Sequence, residues 1–139
     1  HLTGRWTRLI YGDAVGRGGL RTICARQSGE GRSGVSWTAD LPEAGLYDVS
    51  ARIEIPLVLA GMGGLFDPEA TARQCYRVLH EGGVTAVAPL LAYPPDRRES
   101  SIWVHLGAWR FAAGQARVEL SDESDGAVVV ADAVKWVRR

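Results

Sequence analysis

Leu46-Tyr-Asp-Val-Ser-Ala-Arg-Ile-Glu-Ile55 is the stretch whose reading decides the fold. Tyr47, Val49, Ala51, Ile53 and Ile55 alternate with Asp48, Ser50, Arg52 and Glu54. Successive side chains of a strand point to opposite faces, so this period of two predicts one apolar face and one wet face. Pro42-Glu43-Ala44-Gly45 ahead of it is a turn, built from residues that favour turns for separate physical reasons.

The same alternation recurs where Ala116, Val118 and Leu120 interleave with Arg117 and Glu119. Residues 127–137 are apolar nearly throughout and carry valine at 128, 129, 130 and 134. That run predicts a strand buried on both faces, near the centre of a sheet. Shorter strands are expected over 6–11, 20–26, 35–38, 75–80, 84–88 and 102–111. Glu81-Gly82-Gly83 predicts a hairpin turn, because glycine supplies the positive φ such turns need, and Ala113-Gly114-Gln115 reads the same way. Helix is scarce: Asp67-Pro68 can cap and start one or two turns over 67–73. Many short strands joined by Gly-rich turns predict an all-β, mostly antiparallel, jelly-roll-like β-sandwich, with residues 1–139 as a single module.

Composition sets the outer bounds. The 139 residues suit one core, and 46% apolar with 23% charged residues is ordinary for a globular domain. Sixteen basic residues balance sixteen acidic ones, which leaves no general field to draw nucleic acid or an anionic membrane. No run approaches the ~18 apolar residues that span a bilayer. Lys135 is the sole lysine in a chain otherwise rich in arginine. The chain starts at His1, which is expected of a processed chain or a piece of a larger protein.

Chemical motifs are sparse. Cys24 and Cys75 lack zinc spacing; they could form one disulfide in a secreted chain or sit as separate buried thiols, because two cysteines fix no pairing. Glu123, Asp125 and Asp132 fall at positions a calcium loop could use, but Ser121 stands at its first position and strand follows. A polar turn is the preferred reading, with no metal and no other cofactor. Asp132, inside the most apolar strand, needs a hydrogen-bonding or cationic partner. His80 and His105 stand alone in strands, and no nucleophile, phosphate-loop or dinucleotide signature is present. The chain is therefore not expected to be an enzyme by itself.

Two segments exceed what a minimal sandwich needs. Residues 56–66 are apolar and glycine-rich, and Leu57, Met62, Leu65 and Phe66 would contact a partner protein. Residues 90–101 carry Tyr93 beside Arg97 and Arg98, an aromatic with arginine forks suited to an acidic sugar or a carboxylate.

Val35-Ser-Trp-Thr-Ala-Asp-Leu-Pro-Glu-Ala-Gly-Leu-Tyr-Asp-Val49, Trp103-Val-His-Leu-Gly-Ala-Trp-Arg-Phe-Ala-Ala-Gly114, Val118-Glu-Leu-Ser-Asp122 and Val129-Val-Ala-Asp-Ala-Val134 follow one another in a familiar order. Together they resemble the golvesin C-terminal-like domain, also described as the carbohydrate-binding-like domain of xanthan lyase. The resemblance covers most of residues 33–138. It implies a β-sandwich at the end of a larger extracytoplasmic bacterial protein, with Trp37 and Trp103 in the core. It also implies a non-catalytic binding or accessory role, with polysaccharide as partner. The alternative is a structural module that joins neighbouring protein subunits in a surface layer, filament or multi-domain particle, and the apolar 56–66 segment supports it. The chain departs from the family pattern in that long apolar link and in Pro89-Leu90-Leu91.

Overall fold

A computed structural model describes residues 1–11, 21–27, 29, 31–54, 74–89, 101–124 and 128–139. The strands are β1 (Leu2–Thr3), β2 (Thr7–Tyr11), β3 (Arg21–Gln27), β4 (Gly34–Leu41), β5 (Gly45–Glu54), β6 (Gln74–His80), β7 (Gly83–Val87), β8 (Ser101–Phe111), β9 (Gly114–Ser124), β10 (Val128–Ala131) and β11 (Ala133–Arg138). Every pairing among them is antiparallel. One sheet has five strands in the order β1-β4-β9-β6-β7; two sheets of three run β10-β3-β2 and β11-β5-β8. The chain is an all-β sandwich, as the alternating patterns predict. The helical turn expected over 67–73 lies outside the described residues.

The core forms where the inward faces meet. Tyr47, Val49, Ala51 and Ile53 of β5 are buried, as are Ala116, Val118 and Leu120 of β9 and Tyr76 and Val78 of β6. Period two thus sorts each strand into a core face and an outer face. Tyr47 meets Phe111 edge-on, with ring centroids 6.0 Å apart, and its hydroxyl donates to the Glu43 carbonyl at 2.7 Å.

Two of three local readings need correction. The β6–β7 hairpin forms as expected, with Gly83 at φ +113°. Ala113-Gly114, in contrast, joins β8 to β9, which pair with different sheets, so this turn is a corner between layers. The apolar 127–137 run does not form one central strand. It breaks at Asp132 into β10, which pairs with β3, and β11, which pairs with β5 as the edge of its sheet. Val129 and Val130 are both buried, whereas Lys135, Val137 and Arg138 are exposed.

β10 has a ladder on one side only, and a side chain completes the other. Val130 N–H donates to Gln74 Oε1 at 2.6 Å, and Gln74 Nε2 donates to the Val130 carbonyl at 2.9 Å. The same Nε2 reaches the Tyr76 hydroxyl at 2.9 Å. Gln74 is 1% exposed. In an antiparallel pair alternate residues point their N–H and C=O off the free edge, where they would be orphaned. The Gln74 amide satisfies both groups of Val130 and ties β6 to β10. Asp122, equally buried, ties the same end of β9 to the start of β4: its N–H donates to the Ser33 carbonyl at 2.9 Å, and its carboxylate accepts from Ser33 N–H at 3.3 Å.

β5 and β8 are out of step by one residue. Val49 pairs with Gly107 and Ser50 with His105, which leaves Leu106 as the extra residue of a β-bulge. Leu106 is buried, and Gly107 adopts φ +152°. A Cβ on Gly107 would stand 2.6 Å from Cη2 of the Trp109 ring.

Gln74→Leu keeps the volume but orphans both Val130 groups. Each buried orphan costs ~1–3 kcal/mol, so urea unfolding should show a loss of about 2–4 kcal/mol. Gln74→Glu should be pH-dependent in the direction of a buried acid: protonated Glu can donate and accept as the amide does, so its stability relative to wild type falls as pH rises. Gly107→Ala meets both a clash and an unfavourable φ and should cost about 2 kcal/mol, with a changed near-UV tryptophan signal.

Candidate functional site

The bulge determines which tryptophan faces out. Trp103, His105, Gly107, Trp109 and Phe111 share odd numbers, and an unbroken strand would send them to one face. The extra residue reverses the phase between His105 and Trp109. Trp109 and Phe111 pack on the core, while Trp103 lies on the outer face and is 39% exposed. The expectation that Trp103 is a core residue is therefore corrected; Trp37 and Trp136 do pack against the core.

Trp103 is one end of a strip across the outer face of the β11-β5-β8 sheet. The register sets Ala133, Arg52 and Trp103 on one rung and Lys135, Ser50 and His105 on a neighbouring one. The Lys135 ammonium lies 4.2 Å from the Trp103 ring centroid, and the Arg52 guanidinium carbon lies 6.0 Å from it. Both fall within the range of cation–π attraction. Arg52 Nε also stands 3.5 Å from Asp132 Oδ2, whose side chain is 2% exposed. Asp132 thus has the cationic partner that its burial demands, and its backbone carbonyl accepts from the Trp37 indole at 3.2 Å.

The far end of the strip is built on Asp48. Arg139 donates to both carboxylate oxygens, through Nε and one Nη, each at 2.9 Å. His105 Nε2–H donates to Oδ1 at 2.8 Å. Chiefly the Arg139 hydrogen bond, with help from His105, holds the Asp48 carboxyl below its ordinary range, against the opposing effect of desolvation. Asp48 in turn raises Arg139. Ser50 faces His105 across the ladder, and His105 Nε2 is engaged by Asp48. The strip offers an aromatic face, cations, an imidazole and a hydroxyl in one plane, a set suited to holding a polar ligand.

The opposite face of the sandwich differs in chemistry. A shallow depression of about 230 Å³ on the five-stranded sheet is lined by Arg32, Arg77 and Arg117 with Ser36, Ser121 and Glu119. Glu119 binds Arg117 at 2.8 Å and faces Arg77 at 3.9 Å. No tryptophan lines it.

The residues singled out by sequence do not converge on the strip. Tyr93, Arg97 and Arg98 lie outside the described residues, as do Asp125, Leu57, Met62, Leu65 and Phe66. Glu123 is exposed near the end of β9. Cys75 is half-buried and its thiol is free. Among the described residues no three His, Cys, Asp or Glu side chains gather as metal ligands, and no helix is long and apolar enough to cross a membrane.

Comparison with known proteins bears on this geometry. Residues 1–138 match the family described as Golvesin C-terminal domain. None of the curated proteins matches the chain in sequence. Among solved structures, a Paenibacillus xanthan lyase is similar, with 23% identity and a TM-score of 0.68 over 100% of this chain and 12% of that one. A Paenibacillus cycloisomaltooligosaccharide glucanotransferase, complexed with cycloisomaltoheptaose, is similar at 13% identity and a TM-score of 0.51, over 96% of this chain and 17% of that one. These likenesses are of fold. The chain spans less than a fifth of either enzyme's length.

The lowered Asp48 carboxyl gives a pH signature. A depressed folded value contributes stability above the ordinary carboxylate range and loses it as pH falls through the lowered value. Thermal melts of wild type and Asp48→Asn should therefore differ at neutral pH, wild type being the more stable, and converge as pH falls through the lowered Asp48 value.

Proposed function

The chain belongs to the golvesin C-terminal domain family, and from that membership we propose that it is a non-catalytic accessory module that holds polysaccharide. The module serves a larger extracytoplasmic bacterial protein, and any catalysis resides in a companion domain. The outer face of β11-β5-β8 is the binding surface: Trp103 stacks against a sugar ring, and Arg52, Lys135 and His105 supply hydrogen bonds.

The single observation that carries this reading is the exposure of Trp103 at 39% on an otherwise regular sheet face. Lone exposed aliphatic residues are ordinary on a protein surface. A tryptophan turned outward by a bulge, beside two cations, is a built feature, because bulges re-aim side chains at a local cost in pairing. An indole face matches the apolar face of a pyranose, and its polar surroundings match the hydroxyls around the ring. Both solved structures named above belong to enzymes whose names concern polysaccharides or cyclic oligosaccharides, which supports carbohydrate as the ligand class.

Trp103→Ala should weaken polysaccharide binding about tenfold or more, equivalent to ~1.4 kcal/mol or more. Because the side chain faces out, unfolding stability should change by less than ~1 kcal/mol. Affinity electrophoresis against a panel of glycans, with urea melts in parallel, measures both. Unaltered glycan affinity in Trp103→Ala would remove this face from the site.

A further inference from the structure

Two cations stand within reach of Trp103, and they are not equivalent. Arg52 is held from below by the buried Asp132 carboxylate at 3.5 Å. Its charge is answered inside the protein. Lys135 is exposed, and among the described residues it makes no ion pair; its recorded contact is the Trp103 ring at 4.2 Å. The lysine projects from β11, crosses β5 and ends over a residue of β8. An ammonium on an exposed indole gains only ~0.5–1 kcal/mol from the ring and keeps hydrogen-bond donors available. A lysine with no carboxylate partner among the described residues, parked on the stacking residue, is placed to receive a carboxylate carried by whatever stacks there.

We infer that the Trp103 face selects acidic polysaccharides: a uronate-type sugar stacks on Trp103 while its carboxylate pairs with the Lys135 ammonium. This rests on the reading of that face as a glycan platform and adds the charge of the ligand. His105 does not compete for the role, since Asp48 engages it at 2.8 Å. Arg139 is likewise committed to Asp48 through both its donors at 2.9 Å. Arg110 is exposed but lies near the other end of β8. Lys135 is the one lysine of the 139-residue chain, so a single ε-amine signal reports on the site.

The test uses the full chain with three probes at low ionic strength: oligogalacturonate, an uncharged gluco-oligosaccharide of equal length, and polyglutamate. Titration calorimetry should show oligogalacturonate bound about tenfold more tightly than the uncharged sugar, with affinity falling as salt is added. Lys135→Gln should erase that preference, so that the two sugars bind alike, whereas Lys135→Arg should retain most of it. After reductive 13C-dimethylation, the Lys135 resonance starts displaced by the indole ring current and should move on adding oligogalacturonate, but not on adding the uncharged sugar. Equal affinity for the two sugars with a silent Lys135 resonance overturns the charge selection and leaves the glycan platform standing. Polyglutamate bound as tightly as oligogalacturonate also overturns it, because charge alone would then suffice. Binding of neither sugar overturns both.

Discussion

The Gln74 amide does for β10 what a neighbouring strand would do. β10 is four residues long and has a ladder only with β3. Its other side would leave the Val130 N–H and C=O without partners in the core, and burial makes orphaned peptide groups expensive. One side-chain amide carries a donor and an acceptor in peptide-like geometry, so it can satisfy both at once. The bond also links the five-stranded sheet to the segment that leads into β11. β11 pairs along β5 over six residues, and its Lys135 reaches the Trp103 ring. The outer face thus depends on where β10 is held, and β10 is held by Gln74.

A second constraint acts through register. β5 is the best-ordered alternation in the chain and cannot slip by one residue without sending Val49, Ala51 and Ile53 to solvent. β8 must match it along eleven residues while packing both Trp109 and Phe111 inward. The Leu106–Gly107 bulge absorbs the mismatch. Only glycine suits the point where the strand passes beneath the Trp109 ring, because any Cβ would meet that ring. His80 stacks on the same indole at 5.8 Å, and Gly82 N–H donates to His80 Nδ1 at 3.0 Å. The hairpin turn and the bulge are therefore packed through one aromatic ring.

Much of the sandwich was legible because period two is a local signal. Leu46 to Ile55, Ala116 to Leu120 and the Glu81-Gly82-Gly83 turn each carry their own evidence. Other features are not local. Nothing in Ala113-Gly114 distinguishes a hairpin from a corner, since the difference is which strand lies alongside. The break at Asp132 follows from where β3 and β5 end, and the apolar composition of 127–137 masks it. Trp103 was misplaced because its position inside the family blocks implied a core residue; its parity also agrees with Trp109 in sequence, and only the pairing with β5 shows that the phase reverses between them. A weak signal was available in Gly107, an interior strand glycine, which is a common mark of a bulge. The sequence reading instead looked for the site in loop residues such as Tyr93.

The consequence for recognition is a division of labour along each strand. Inward positions of β5, β8 and β11 answer to the core, where volume changes of a methylene are felt. Outward positions face away from it: Arg52, Ser50 and Asp48 on β5, Trp103 and His105 on β8, Lys135 on β11. Asp132 is the exception that links the two, since a buried carboxylate there holds Arg52 beside Trp103 and so carries a requirement of the interior out to that face. On the proposed reading, exchanging Lys135 would change the charge this face prefers, while Trp103 keeps the stacking surface and the bulge keeps it outward. Stacking and selection by charge would then rest on separate residues, neither drawing on the packing that holds the sandwich together.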